Sequence, residues 1–240
     1  MKHILLTITF CLFIAGSSFA QLDQLKKAAK GLTSGTGQLS SEEIARGLKE
    51  ALTNGISKGS DVVSKVDGYF KNPEIKLPFP PEAKKAEDRL RAMGMGAEVD
   101  NFILTLNRAA EDAAKEAKPI FVEAIKAMTI QDAAGILRGN DDAATQYLKK
   151  TTTASLKSKF KPVVKNSLEK VNATKYYADL IKTYNKIPLV QKLNPDLDEY
   201  ATDKAIEGLF IMIAKEEKNI RKNPVARTSD LLKKVFGSQK

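Results

Sequence analysis

The sequence predicts an all-α fold: a single multi-helix, bundle-like domain with a short extended proline-rich arm, preceded by a cleavable signal peptide. Three observations carry this reading. Apolar residues recur at three- and four-residue spacing in one segment after another. Ser40 with Glu43, and Thr129 with Asp132, stand three apart at the head of such segments, as helix-capping pairs do. Alternation with a period of two occurs only at Ile75, Leu77 and Phe79, and no repeat of fixed length runs through the chain.

Residues 1–20 read as the export signal. Lys2 supplies the positive start, Ile4 to Ala15 the apolar run, and Ser18-Phe19-Ala20 the small-x-small cleavage site. The apolar run is too short to span a bilayer, which takes about 20 residues. Cys11 follows Thr9-Phe10 and not the small residues of a lipoprotein site, so release by cleavage is expected. Residues 21–38, with Gly31, Gly35 and Gly37, form a flexible lead-in. The domain covers 39–237, and 238–240 are a tail.

Within the domain, Ser40 and Glu43 open a first helix, with Leu39 stapled to Ile44, and its stripe runs through Ile44, Leu48, Leu52, Ile56, Val63 and Val66 as far as Phe70. Gly47, Gly55 and Gly59 weaken it or let a neighbour approach closely. Pro73, Pro78, Pro80 and Pro81 exclude helix from 72–81, leaving an extended connector, or a strap over a groove, with Ile75, Leu77 and Phe79 on one side. Helix resumes from Pro81 and pauses at Met93-Gly94-Met95-Gly96. The next stripe holds Val99, Phe102, Ile103, Leu106, Ala110, Ala113 and Ala117, and Ala109, Ala110, Ala113, Ala114 and Ala117 are small enough for a neighbouring helix to approach closely. Pro119 restarts the chain, and Thr129 caps a short helix that ends at Gly139. A long helix follows Asn140-Asp141-Asp142, with Leu156, Phe160, Val163, Val164, Leu168 and Val171 inward and Pro162 bending it. Tyr176 and Tyr177 read as a wedge in a further helix. Pro188 and Pro195 punctuate a turn-rich segment, a last long helix runs from Asp196 to Asn219, and Thr228 caps a short one ended by Gly237.

The chain has 240 residues, a net charge of +10, one cysteine, one histidine and no tryptophan. Cys11 and His3 both fall in the signal, so cleavage leaves 220 residues with 38 basic against 29 acidic side chains, a charge of +9. The mature chain then has no thiol or imidazole. That excludes Ser-His-Asp and Cys-His nucleophiles, zinc on His or Cys, protein-ligated haem and disulfides. No cofactor and no metal site are expected. Any chemistry rests on carboxylates, amides, hydroxyls, lysine and arginine.

Several runs in order resemble one family. They are Leu90-Arg91-Ala92-Met93-Gly94-Met95-Gly96, Asn107-Arg108-Ala109-Ala110-Glu111-Asp112-Ala113, Asp132 to Gly139, Asp141 to Leu148, Lys204 to Phe210, Glu216 to Arg221 and Leu231 to Gly237. The chain resembles domain of unknown function family 4197 over roughly Leu39 to Gly237. The resemblance implies an exported, mostly helical Gram-negative envelope protein and carries over no activity, cofactor or ligand.

Two groups of residues are candidate sites. Taking Leu106 as the centre of its stripe, Asn107 lies about 100° and Glu111 about 140° round the helix, with Arg108 in reach of Glu111. With Asp132, Asp142 and Thr145 they form a candidate polar ligand site. As structure, the same residues read as an ion pair, an amide bonding the next element, and helix caps. A glycosidase needs only two carboxylates, so Glu111 with Asp132 or Asp142 is the pairing to test for hydrolysis of envelope glycan. The second group is Lys149, Lys150, Lys157, Lys161 and Lys165. Seven lysines and one acid between 149 and 171 give a local charge of +6, on a line facing away from Phe160 and Val164.

The sequence therefore favours a non-catalytic periplasmic binding or interaction module, peripheral to a membrane or free. Its partner would be an anionic envelope lipid, lipopolysaccharide or an acidic protein. Nucleic acid is not expected, since no aromatics interleave the lysines, and no transmembrane segment follows the signal. The alternatives are a helical carrier with a ligand groove under the proline-rich arm, rimmed by Asn107 and Glu111, and a carboxylate-only hydrolase.

Overall fold

The computed structural model describes residues 40–237, apart from 171, 187, 190–191, 194–195 and 228 and the side chains of 180, 183 and 184. The signal peptide, the lead-in, Leu39, the tail, Val171, Pro195 and the Thr228 cap lie outside the described residues. Those residues hold nine α-helices and no strand.

Helix α1 (Ser41–Val63) starts at the capping box: the Ser40 hydroxyl accepts from the Glu43 amide, and the Glu43 carboxylate from the Ser40 amide. It stops at Ser64, short of the Phe70 that periodicity suggests. Asp67 turns the backbone to φ 70°, leaving Val66 exposed, and the amides of Tyr69 and Phe70 are taken by Glu111. A tertiary hydrogen-bond acceptor outcompetes helix continuation there. The helix is unbroken through its glycines, which form the face against the C-terminal helices. A Cβ on Gly47 would stand 2.6 Å from Val235, and on Gly55 3.4 Å from Ile220.

The proline-rich arm follows, with Ile75, Leu77 and Phe79 buried. A 3-10 turn at Pro81–Ala83 leads into α2 (Lys84–Ala92), then α3 (Gly96–Ala114). Between them Met95 N–H donates to Leu90 C=O and Gly94 N–H to Arg91 C=O, a Schellman closure that needs the φ of +86° at Gly94. Next come α4 (Ala117–Ala127) and α5 (Ile130–Arg138). Pro119 sits in the first turn of α4, where its missing N–H costs nothing. α5 opens on the Thr129–Asp132 box.

Helix α6 (Ala143–Lys170) carries Pro162 and is followed by α7 (Ala173–Tyr184), α8 (Leu197–Lys222) and α9 (Asp230–Gly237). Asp196 caps α8, while Ser229 accepts from the Leu232 amide at the head of α9. Helices α6 and α8 run antiparallel: Thr145 meets Glu217, Lys149 lies over Phe210, and Lys157 meets Asp203. They form the centre. α6 also packs on α3, α4, α5 and α7, and α8 on α1 and α3. Ala109, Ala110, Ala113 and Ala114 of α3 are wholly buried in that packing, as their size suggests.

Candidate functional site

The polar residues on α3 are building elements of the arm. Asn107 is fully buried: its Oδ1 accepts from Leu77 N–H at 2.8 Å, and its Nδ2 donates to Leu77 C=O at 2.9 Å and to Ile103 C=O at 2.7 Å. The amide thus supplies what a neighbouring strand would supply to an extended residue. One turn on, Glu111 accepts from Tyr69 and Phe70 N–H through Oε1 and from Arg108 through Oε2 at 2.7 Å. Arg108 also reaches Asp67 at 2.7 Å. Its guanidinium and the Lys71 ammonium hold the Asp67 carboxyl below its ordinary range, Lys71 contributing most. Tyr69 completes the anchor by donating from its hydroxyl to Ala205 C=O at 2.6 Å.

The other three candidates have partners of their own elsewhere. Asp132 closes the cap with Thr129, whose amide and hydroxyl pull its carboxyl below the usual range. Asp142 accepts from Gln146, one turn on. Thr145 donates to Glu217. Glu111, Asp132 and Asp142 thus each have partners of their own, and no hydrogen bond links one to another among the described residues. No cluster of three or more acids, histidines or cysteines suited to a metal occurs among the described residues.

An open groove of about 460 Å³ lies beyond the end of the arm. Its floor is a ring cluster. Phe102 of α3 and Tyr177 of α7 stack with centroids 5.7 Å apart and planes 6° off parallel. Phe79 of the arm tilts against both, at 5.1 Å and 6.1 Å. Leu90, Met95, Val99, Ala173 and Tyr176 also line it. Glu98, Asn101 and Thr105 run along α3 at the edge. The elements explain the placement: residues 98, 101–102 and 105 fall on one helix face, and the Schellman turn brings Met95 to the mouth. Tyr200 fixes the arm by donating to Pro78 C=O at 3.2 Å. Burial and the Glu82 carboxylate push the Tyr177 hydroxyl up to about 12, so it stays protonated. Tyr176 is 68% exposed rather than wedged between helices. The groove is therefore beside Phe79, not under Ile75 and Leu77, and Asn107 is buried behind the arm instead of standing at a rim.

The lysines of α6 are all exposed. Lys149, Lys157, Lys161 and Lys165 follow the buried line by one residue, about 100° round the helix, which turns them towards α8 rather than directly away from it. Lys157 pairs with Asp203 at 2.8 Å and Lys165 with Glu169 at 3.8 Å. Lys150, Lys159, Lys161 and Lys170 make no ion pair among the described residues. No helix of the described residues is long and apolar enough to cross a membrane.

Comparison with known families places the whole of this architecture in one unit of sequence. Residues 38–237 match the family described as protein of unknown function (DUF4197). The chain belongs to the DUF4197 family. No curated protein and no solved structure matches it. The DUF4197 match runs from just before the first cap to the end of α9, so the arm anchor, the groove and the α6–α8 pair are all features of this family member's matched region.

Two interior features of the DUF4197 region were not picked out from the sequence. Glu217, buried on α8, accepts from Ala144 N–H, Thr145 N–H and the Thr145 hydroxyl, which caps α6 from another helix. Arg221, one turn on, pairs with Glu217 and donates to Ile136 and Leu137 C=O at the end of α5. The signal was the register: Glu217 lies between Ile213 and Ile220 on the inward stripe. The second feature is Asp198, whose Oδ1 has no hydrogen-bond partner among the described residues and whose carboxyl is raised by burial and by Asp196.

Proposed function

We propose that this protein is a non-catalytic binding module of the cell envelope that holds a small, largely apolar molecule in the groove between the arm, α3 and α7. The observation that carries the reading is the groove itself. About 460 Å³ falls in the size range of small-molecule sites. Aromatic floor, aliphatic walls and a single polar edge are what such a site offers, with the edge setting orientation. The residues first suspected of chemistry are committed to building it: Asn107 and Glu111 pin the arm that carries Phe79.

Native mass spectrometry of the protein purified from its own host tests this. A bound small molecule is expected in the wild type and lost in Phe102→Ala and in Tyr176→Ala, the latter removing only an exposed ring. A clean protein mass from repeated preparations contradicts the reading.

The lysines of α6 favour a second reading, a surface for anionic envelope lipid or lipopolysaccharide. Lys150, Lys159, Lys161 and Lys170 are exposed and uncommitted, and each lysine near an anionic membrane contributes about 1 kcal/mol. Vesicles of acidic lipid should then co-sediment the protein at low salt and release it at high salt. Loss of binding in the quadruple glutamine variant is expected; vesicle binding that ignores both salt and these lysines contradicts it.

A further inference from the structure

The groove is acidic in a strongly basic protein. The sequence has 39 lysines and arginines, yet among the described residues none lines the groove, and the one charged residue that does is Glu98. Its neighbours on the same hairpin are neutralised. Asp100 takes Arg91 at 2.8 Å, and Glu87 takes Arg91 at 3.0 Å and Lys84 at 3.2 Å. Glu98, exposed in the first turn of α3, makes no ion pair or hydrogen bond with any described residue, so no side-chain cation answers its charge beside the groove. Glu82 adds to the same field, since its carboxylate acts on the hydroxyls of both Tyr177 and Tyr200. Tyr176, 68% exposed, also lines the groove, and the face of an aromatic ring attracts cations and not anions.

We propose that the ligand of this groove carries a positive charge: a cationic amphiphile whose apolar body lies on Phe79, Phe102 and Tyr177 and whose head group meets Glu98 and the ring of Tyr176. The inference rests on the binding reading above and specifies its ligand class. An anionic head would approach Glu98 with no arginine or lysine in the lining to receive it, and shedding its water there would be uncompensated. Size sets a second limit. A groove of about 460 Å³ is of small-molecule size, which suits a ten-carbon chain with a trimethylammonium head.

The test compares decyltrimethylammonium, decanol and decanoate, each below its micelle concentration, by calorimetry on the purified protein. Wild type is expected to bind the cation about tenfold more tightly than decanol, and decanoate more weakly than either. In Glu98→Gln the cation's advantage falls to within about twofold, whereas Glu123→Gln, an exposed acid of α4, leaves it in place. The inference is overturned if decanoate binds as well as the cation, or if Glu98→Gln keeps the preference. Should all three bind alike and lose affinity in Phe102→Ala, the ligand class is wrong while the groove remains a binding site. Binding of none overturns both.

Discussion

At the scale of single residues, the polar side chains that look most chemical are holding backbone. Asn107 satisfies both polar groups of Leu77, so Asn107→Ala leaves two buried groups unpaired. We expect a loss of about 2–4 kcal/mol, read as a lower midpoint in denaturant; a change under 0.5 kcal/mol would show that the arm does not depend on this amide. Glu217 is a stronger case, because its removal strands Arg221 as well as the first amides of α6. Breaking such a buried pair costs about 3–5 kcal/mol, and Glu217→Ala should lose that much. Two aspartates give opposite pH behaviour. Asp67 is held low by Lys71 and Arg108, so its contribution is present at neutral pH and disappears as pH falls through its folded value. Asp198 is pushed up by burial and Asp196, so its ionised form weakens the fold at neutral pH, and the effect vanishes below the ordinary carboxyl range. Thermal melts should therefore find Asp67→Asn less stable and Asp198→Asn more stable than wild type at pH 7, with both differences shrinking towards pH 3. Differences that persist unchanged at pH 3 would contradict the assignment. Asn107 and Glu111 could be singled out in the sequence as polar groups on a helix shoulder. What they bond could not, because Leu77 and Tyr69 reach them only through the tertiary path of the arm.

At the scale of elements, helix α6 explains why local pattern both succeeds and fails. Apart from Thr145, its buried residues are Ala144, Leu148, Thr152, Leu156, Phe160, Val164 and Leu168, each four after the last. Four residues advance an α-helix about 40° beyond a full turn, so this line winds round the helix and meets one neighbour after another. The helix is legible from its apolar spacing, but the directions its lysines take are not, since each depends on how far the line has turned. Helix α1 is the converse: its start is written in the capping box, its end in Glu111 forty residues and more away. Glycines mark two kinds of helix surface, and one substitution separates them. A Cβ on Gly208 of α8 would come 2.7 Å from the Tyr69 ring, which its bond to Ala205 holds still, and 3.1 Å from Ile75. A Cβ on Gly135 of α5 would meet nothing within 4 Å. Gly208→Ala should cost about 1–3 kcal/mol of overpacking, whereas Gly135→Ala should add up to about 1 kcal/mol from helix propensity. Equal effects would mean that α8 does not pack on the arm at Gly208.

For the molecule as a whole, the α6–α8 pair and the arm anchor form the frame, and the groove is the place where that frame leaves aromatic surface uncovered. The all-α class follows from periodicity and caps alone. The groove does not, because its residues come from four separate segments, and Tyr176 and Tyr177 differ in exposure only once α7 is docked. The methionines provide the most direct test of a ligand site there. Beyond Met1, the sequence has four: Met93, Met95, Met128 and Met212. Met95 lines the groove, Met128 is buried elsewhere, and Met212 borders a shallow depression beside α1. In a protein carrying ¹³C-methyl methionine, titration with decanol should move the Met95 resonance progressively to saturation while Met128 and Met212 stay in place. An unchanged Met95, or a shift confined to Met212, would contradict the assignment of the groove as the binding site.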